Sequence, residues 1–213
     1  VSVDLKKHWS GVNTNWRHIV TSIPQAKQKR IIYNFYNYFL NELPKDDIHF
    51  AVDWGCGGGL LTKELKTFTQ VLALDICEDS LNSCKEFAAP DFAELVPNDL
   101  LKFEYNYNNV DMLLAHAIVW HFPTLEYFKD VIDIWTNKIK AKYIAFNTKK
   151  LDKKGFSQVH NYKKNFLQAL YLNDKFVIEL FKGQGYSLLS STVVTTGLQP
   201  QTYFVFKREP EKV

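Results

Sequence analysis

A chain of 213 residues, 46% hydrophobic and 23% charged, has the makeup of an ordinary soluble globular protein and is long enough to bury a substantial core. Its formal charge of +3 is too small to argue for a nucleic-acid partner, and the scattered lysines (Lys6-Lys7, Lys27 to Arg30, Lys149 to Lys154) read as solvated surface. Cys56, Cys77 and Cys84 form neither a Cys-x-x-Cys pair nor a disulfide framework, and the sequence shows no membrane-length apolar run or signal-peptide core. The expected setting is the cytoplasm, with no membrane partner.

Residues 1–44 are expected to form an N-terminal helical cap or lid, and residues 45–213 the main domain. Trp9, Trp16, His8 and His18 stand among polar residues ahead of Pro24, and Trp16 and Arg17 are the candidate lid residues. From Gln25 to Leu43 the apolar positions Ile31, Ile32, Phe35, Tyr38 and Phe39 recur at helical spacing, until Pro44 and Lys45-Asp46-Asp47 break the pattern. A short apolar run then leads from Phe50 into Asp53-Trp54-Gly55-Cys56-Gly57-Gly58-Gly59. Four of the chain's nine glycines fall in five residues, and glycine lets a backbone turn tightly and approach a ligand with no Cβ in between. Residues 60–68 read as the helix after this loop, which would present N–H groups to such a ligand.

Val71 to Asp75 is a second apolar run ending in an acid, about 20 residues beyond the loop. That is the distance at which a doubly wound fold places a carboxylate for a ribose diol. A helix from Asp79 to Ala88 follows, then a third strand over 92–96, the Asn98-Asp99 pair, and a loop or short helix over 100–109. Asp111 to Ala115 is the fourth strand, leading into His116-Ala117-Ile118-Val119-Trp120-His121-Phe122. Residues 124–138 are helical by pattern with Thr124 as cap, and 142–148 form the fifth strand. The charged stretch 149–160 reads as a connection and 163–182 as a helix, before two closing strands over 187–195 and 202–207. Strands alternating with helices argue for a parallel sheet.

Taken together, these segments resemble the class I S-adenosylmethionine-dependent methyltransferases over roughly residues 30 to 207. Val52 to Gly59 is similar to their first motif, Leu74-Asp75-Ile76 to the acidic second, and Asn98-Asp99-Leu100 to the adenine-contacting third. The stretch from Asp111 to Phe122 is similar to the fourth strand and its substrate-side segment. The resemblance implies a Rossmann-like, seven-stranded, mostly parallel α/β sheet with helices on both faces and its last strand antiparallel. The implied cofactor is S-adenosylmethionine, leaving as S-adenosylhomocysteine. Its expected contacts are Asp53, Trp54, Gly55, Cys56, Gly57, Asp75, Ile76, Asn98, Asp99, Leu100 and His116. Within that set Asp75 would take the ribose hydroxyls, Asp99 the adenine amino group, and Ile76 and Leu100 the adenine faces. Asp53 would order the loop, directly or through water, near the cofactor's amino group. The spacing Gly55-x-Gly57-x-Gly59, rather than Gly-x-Gly-x-x-Gly, and the acid just before it suit an ammonium better than a pyrophosphate.

His116 and His121 are the candidate catalytic residues, with His116 first as proton acceptor because an imidazole ordinarily titrates near pH 6.5. Aligning acceptor and methyl group can supply about 7–11 kcal/mol, and a base contributes about 10²–10⁴-fold. The five-residue separation of the histidines suits no metal-binding helix face, and no metal is expected. The resemblance further points to a small polar acceptor, a metabolite or sugar methylated at a hydroxyl or amine. Ala115-His116-Ala117-Ile118 replaces the Asn/Asp-Pro-Pro-aromatic motif of nucleic-acid base methyltransferases, which argues against a nucleic-acid acceptor. The usual Pro-Gly-Gly turn before the fifth strand is absent, with Asn137 to Ala141 in its place. The competing reading is a non-catalytic S-adenosylmethionine-binding interaction module.

Overall fold

The structure, a computed structural model, describes residues 23–97, 100–152, 155–160, 168–195 and 200–210. Five strands form a parallel core in the order β3-β2-β1-β4-β5: β1 (Phe50–Trp54), β2 (Gln70–Asp75), β3 (Phe92–Leu95), β4 (Met112–Ala115) and β5 (Tyr143–Lys150). β4 is buried throughout and β2 beyond its first residue, as befits parallel strands covered on both faces, whereas the edge strand β3 stays largely exposed. β9 (Pro200–Arg208) runs antiparallel along β5, from Tyr143 opposite Lys207 to Lys149 opposite Gln201. β8 (Tyr186–Thr195) pairs antiparallel outside it, with a bulge between Leu188 and Ser190. The expected mostly parallel, Rossmann-like sheet with an antiparallel last strand is therefore present.

It carries two strands more than expected. β6 (Phe156–His160) and β7 (Gln168–Leu172) form an antiparallel hairpin, and β7 runs parallel to the end of β5, with Lys149 opposite Tyr171 and Lys150 opposite Leu172. Lys149 is also opposite Gln201 of β9, so β7 must lie on the other edge of β5, the edge that β4 occupies up to Phe146. The hairpin thus continues the sheet beyond the carboxyl end of β4. This corrects the charged connection over 149–160 and the start of the helix read over 163–182: β5 extends to Lys150, and the helix is confined to Asp174–Gly183. Alternation explains the difference, because Leu170 and Leu172 enter the core on one face while Tyr171 takes the other.

Helices cover both faces. α1 (Gln25–Phe35) continues into a π-helical turn, Tyr36–Leu40, and buries Phe35, Phe39 and Leu40 with α2 (Leu60–Leu65) against Ala51, Met112, Leu114, Ala145 and Tyr203. α3 (Glu78–Ala88) packs beside α2 through Leu81, Cys84 and Ala88. On the opposite face lie α4 (Leu125–Asp133) and α5 (Asp174–Gly183), which bury Phe128, Val131, Val177 and Phe181 against Leu113, Ile144, Phe146 and Phe206. The Thr124 hydroxyl caps α4 by accepting from Tyr127 N–H at 3.0 Å, and Asn173 Oδ1 caps α5 by accepting from Lys175 N–H at 3.1 Å. α4 is shorter than its pattern predicts. It passes into a π-helical turn, Ile134–Ile139, which Lys140 ends with φ +54°.

Candidate active site

The carboxyl ends of β1 and β2 are joined by the glycine loop. Gly55 and Cys56 both donate backbone N–H groups to the carbonyl of Leu74, at 2.7 and 3.0 Å. Gly57 N–H then donates to Asp75 Oδ2 at 2.9 Å, while Asp75 Oδ1 accepts from Cys77 N–H at 2.8 Å. One carboxylate therefore fixes the loop after β1 and the turn after β2.

Two glycines are required by contact as well as by conformation. A Cβ on Gly55, at φ +77°, would lie 2.6 Å from Ile118 Cγ2, so the segment after β4 rests directly on the loop. A Cβ on Gly59, at φ +89°, would lie 2.9 Å from Cys84 Sγ and 3.1 Å from its Cα, so this glycine brings the start of α2 onto α3.

Asp53 is buried, and its Oδ2 accepts from the Thr62 hydroxyl at 2.6 Å, tying β1 to α2. Burial raises its carboxyl to about 7, with the nearby charge of Asp75 adding to the rise and the Thr62 hydrogen bond opposing it. A cation placed beside Asp53 would favour its ionised form. Cys56 is buried too, and its thiol is raised by a hydrogen bond with Cys84 and by burial. The Trp54 side chain turns into the core, 5.2 Å from the Phe103 ring and 6.0 Å from the Trp135 ring, leaving its backbone at the loop. Ile76 is half-buried just beyond Asp75, and Leu100 is buried at the start of the 3₁₀ turn Leu100–Lys102. Asn98 and Asp99, together with the lid candidates Trp16 and Arg17, lie outside the described residues.

β4 ends at Ala115, and the chain then crosses the sheet end. His116 is half-buried, with its ring 6.3 Å from the rings of both Phe39 and Tyr203. Burial pushes its imidazole down to about 4, below the ordinary 6.5, so it is neutral at pH 7. Ala117 adopts φ +62°, a costly conformation for a residue with a Cβ, and its N–H donates to Asn147 Oδ1 at 2.7 Å. Asn147 Nδ2 in turn donates to Gln201 Oε1 at 2.9 Å, and Asn34 Nδ2 donates to the Tyr203 hydroxyl at 3.0 Å. His121 closes the 3₁₀ turn Val119–His121, with its ring 5.5 Å from that of Trp120. The two histidines thus keep different company.

The structure joins Gly55, Cys56 and Gly57 to the end of β2 at Leu74 and Asp75 by hydrogen bonds, sets Asp53 beside them bonded to Thr62, and places His116 just past the end of neighbouring β4. Sequence reading missed Thr62, Asn147 and Tyr203. The available signal for Asn147 was an amide inside the otherwise apolar run Tyr143 to Phe146, since a fully buried polar side chain needs partners.

A methyltransferase-domain family model matches residues 52–140, the span from the glycine loop through α4. No curated protein sequence matches the chain. Among solved structures, an S-adenosylmethionine-dependent methyltransferase of Leishmania major is 18% identical, covering 94% of this chain and 80% of that one at a TM-score of 0.67. Magnesium protoporphyrin IX methyltransferase of Synechocystis, solved with S-adenosylmethionine, is 13% identical, covering 96% and 95% at 0.68. The 1,6-didemethyltoxoflavin-N1-methyltransferase of Burkholderia thailandensis is 11% identical, covering 86% and 88% at 0.61. At such identities the structural likeness is one of fold. The matched methyltransferase domain lies over the loop and acid just described, and the fold is that of the S-adenosylmethionine-dependent methyltransferases.

Proposed function

We propose that the protein methylates a hydroxyl or amine of a small polar biosynthetic acceptor, a metabolite or sugar, in the cytoplasm. The observation that carries the cofactor half of this reading is the Gly57–Asp75 hydrogen bond, which sets the carboxylate at the end of β2 beside a glycine-rich loop that a ligand can approach closely. Asp75 would hold the ribose hydroxyls, with Ile76 and Leu100 against the adenine, and buried Asp53 would face the cofactor's ammonium. Asn98 and Asp99 complete the proposed set. Bound there, S-adenosylmethionine supplies an electrophilic methyl group on a positively charged sulfur.

The acceptor half rests on side chains at the ends of β4 and β5. Neutral His116 offers a hydrogen-bond acceptor for an incoming O–H or N–H and is the first candidate to take its proton, with His121 second. Its depressed basicity makes it a weaker base than an ordinary histidine, so much of its effect would come from orienting the nucleophile. Two structural neighbours act on small molecules, magnesium protoporphyrin IX and 1,6-didemethyltoxoflavin, which agrees with a small acceptor here.

Isothermal titration tests the cofactor half. S-adenosylhomocysteine should bind in the micromolar range and NAD should not, and Asp75→Ala should weaken binding by about 1.5–3 kcal/mol. Binding of NAD without S-adenosylhomocysteine would sink the assignment. Release of S-adenosylhomocysteine from S-adenosylmethionine in the presence of small hydroxylated or amine-bearing metabolites tests the acceptor half.

A further inference from the structure

Ala117 joins two residues that face different partners. The ring of His116, just before it, lies 6.3 Å from those of Phe39 and Tyr203. The side chain of Ile118, just after it, rests where a Cβ on Gly55 would stand. Ile118 also opens the 3₁₀ turn, its carbonyl accepting from His121 N–H at 2.8 Å. The chain thus leaves β4 and enters that turn through an alanine at φ +62°. A residue with a Cβ enters the left-handed region only against a steric cost, which glycine escapes, so a tertiary contact has to hold it there.

Asn147 supplies that contact. It is fully buried on β5, opposite Tyr203 in the ladder with β9. Both ends of its amide are used: Oδ1 accepts from Ala117 N–H at 2.7 Å, and Nδ2 donates to Gln201 Oε1 at 2.9 Å. A buried amide satisfied at both ends resists rotation, because turning it would strand a donor and an acceptor. The side chains of Asn147, Gln201 and Asn34, the last donating to the Tyr203 hydroxyl, are all neutral. Phe39 is uncharged as well, and burial holds the Tyr203 phenol above its ordinary value. This network can therefore fix geometry beside His116 without setting a charge against the imidazole.

Resting on the methyltransferase reading above, with His116 meeting the acceptor, we propose that Asn147 is a positioning residue for methyl transfer. By holding Ala117 left-handed from β5, it keeps the His116 ring seated against Phe39 and Tyr203 while Ile118 stays on the glycine loop. Three consecutive residues then tie the cofactor side of the crevice to the acceptor side. Asn147 acts through the backbone of Ala117 and needs no contact with either ligand.

The test uses the full chain, isotope-labelled and saturated with S-adenosylhomocysteine. Imidazole signals are followed by proton–nitrogen NMR, with His116 assigned from the signals lost in His116→Gln. In the parent the ring should show Overhauser contacts to Phe39 and Tyr203 and a midpoint near pH 4. Asn147→Ala should weaken those contacts and raise the midpoint by at least about one pH unit toward the ordinary 6.5. Its S-adenosylhomocysteine affinity should stay nearly unchanged, since the loop keeps its bonds to Leu74 and Asp75. Turnover in the release assay above should fall about ten-fold or more through misplacement of the ring. Adding Ala117→Gly, which removes the steric cost, should recover at least about half of each change. Gln201→Ala, at a half-buried position, should give the same changes at smaller size and serves where Asn147→Ala does not fold.

Unmoved His116 signals in these variants would overturn the proposal, as would parental turnover from a displaced ring. Equal changes with and without Ala117→Gly would also overturn it, by showing that Asn147 only packs. S-adenosylhomocysteine affinity is measured first. Its absence in the parent breaks the methyltransferase reading, whereas its presence with unmoved His116 signals breaks this inference alone.

Discussion

The two halves of the crevice are built differently. At the ends of β1 and β2, backbone N–H groups and a single carboxylate form the site, and the residues that meet are separated by one helix and one strand. At the ends of β4 and β5, side chains form it: half-buried His116 just past β4, buried Asn147 of β5, and half-buried Gln201 with buried Tyr203 of β9, with Asn34 reaching in from α1. On the proposed assignment the cofactor would meet mostly backbone, whose hydrogen-bonding groups do not depend on residue type. The acceptor would meet side chains, whose chemistry changes with every substitution.

Substitutions should separate the halves. The largest effect is expected from Gly55→Ala, which places a methyl group against Ile118 at a backbone angle that disfavours a Cβ. Overpacking and left-handed strain together cost about 2–4 kcal/mol, read as lower thermal stability and weakened S-adenosylhomocysteine binding. Adding Ile118→Ala should recover the part due to overpacking. Unchanged binding in the single variant would show that the loop is not held against the β4 segment.

His116→Ala should lower turnover by about 10²-fold with cofactor affinity nearly intact. Because burial holds this imidazole at about 4, any acidic limb it causes should fall near pH 4 rather than 6.5. A limb centred near 6.5 that vanishes in the variant would show that the ring is solvated in the working enzyme. Turnover within a few-fold of the parent would remove His116 from the chemistry and leave His121 to be tested.

The smallest effect belongs to Asp53. Its carboxyl is raised from the ordinary 3.8 to about 7 in the fold, so the native state favours its protonated form. The stability this contributes is fully present below 3.8 and is lost as the pH rises through about 7. Thermal midpoints of the cofactor-free protein should therefore fall more steeply from about pH 4 to 8 than those of Asp53→Asn. If the cofactor's ammonium faces this acid, binding near pH 6 should release a fraction of a proton, measurable in buffers of different ionisation heat. Identical pH slopes for the two proteins would place the titration elsewhere.

The same contrast governs what the sequence made legible. β1, β2 and β4 are apolar runs, the first two closed by acids, and the glycine spacing with Asp75 pointed to the cofactor side because those contacts follow from local order along the chain. The β6–β7 hairpin was hidden. Its strand character comes from pairing with the tail of β5, while charges around Lys149 to Lys154 and helical spacing after 163 suggested other structures. The bond from Asn147 to the left-handed Ala117 depends on a backbone angle that no residue type announces. The identity of His116 was readable and its acidity was not, since that is set by burial beside Phe39 of the π-helical turn after α1 and Tyr203 of β9.

β9 follows every other strand in the sequence, yet it supplies Gln201 to Asn147, Thr202 to Asp174 and Tyr203 to Asn34. As the chain emerges from a ribosome, β1 and β2 can pair and close the glycine loop while the acceptor side still lacks its partner strand. Asn147 and Asn34 must wait, solvated, for a strand whose contacts span as many as 169 residues. Chain order thus lets the loop after β1 close before the end of β5 acquires its partners from β9.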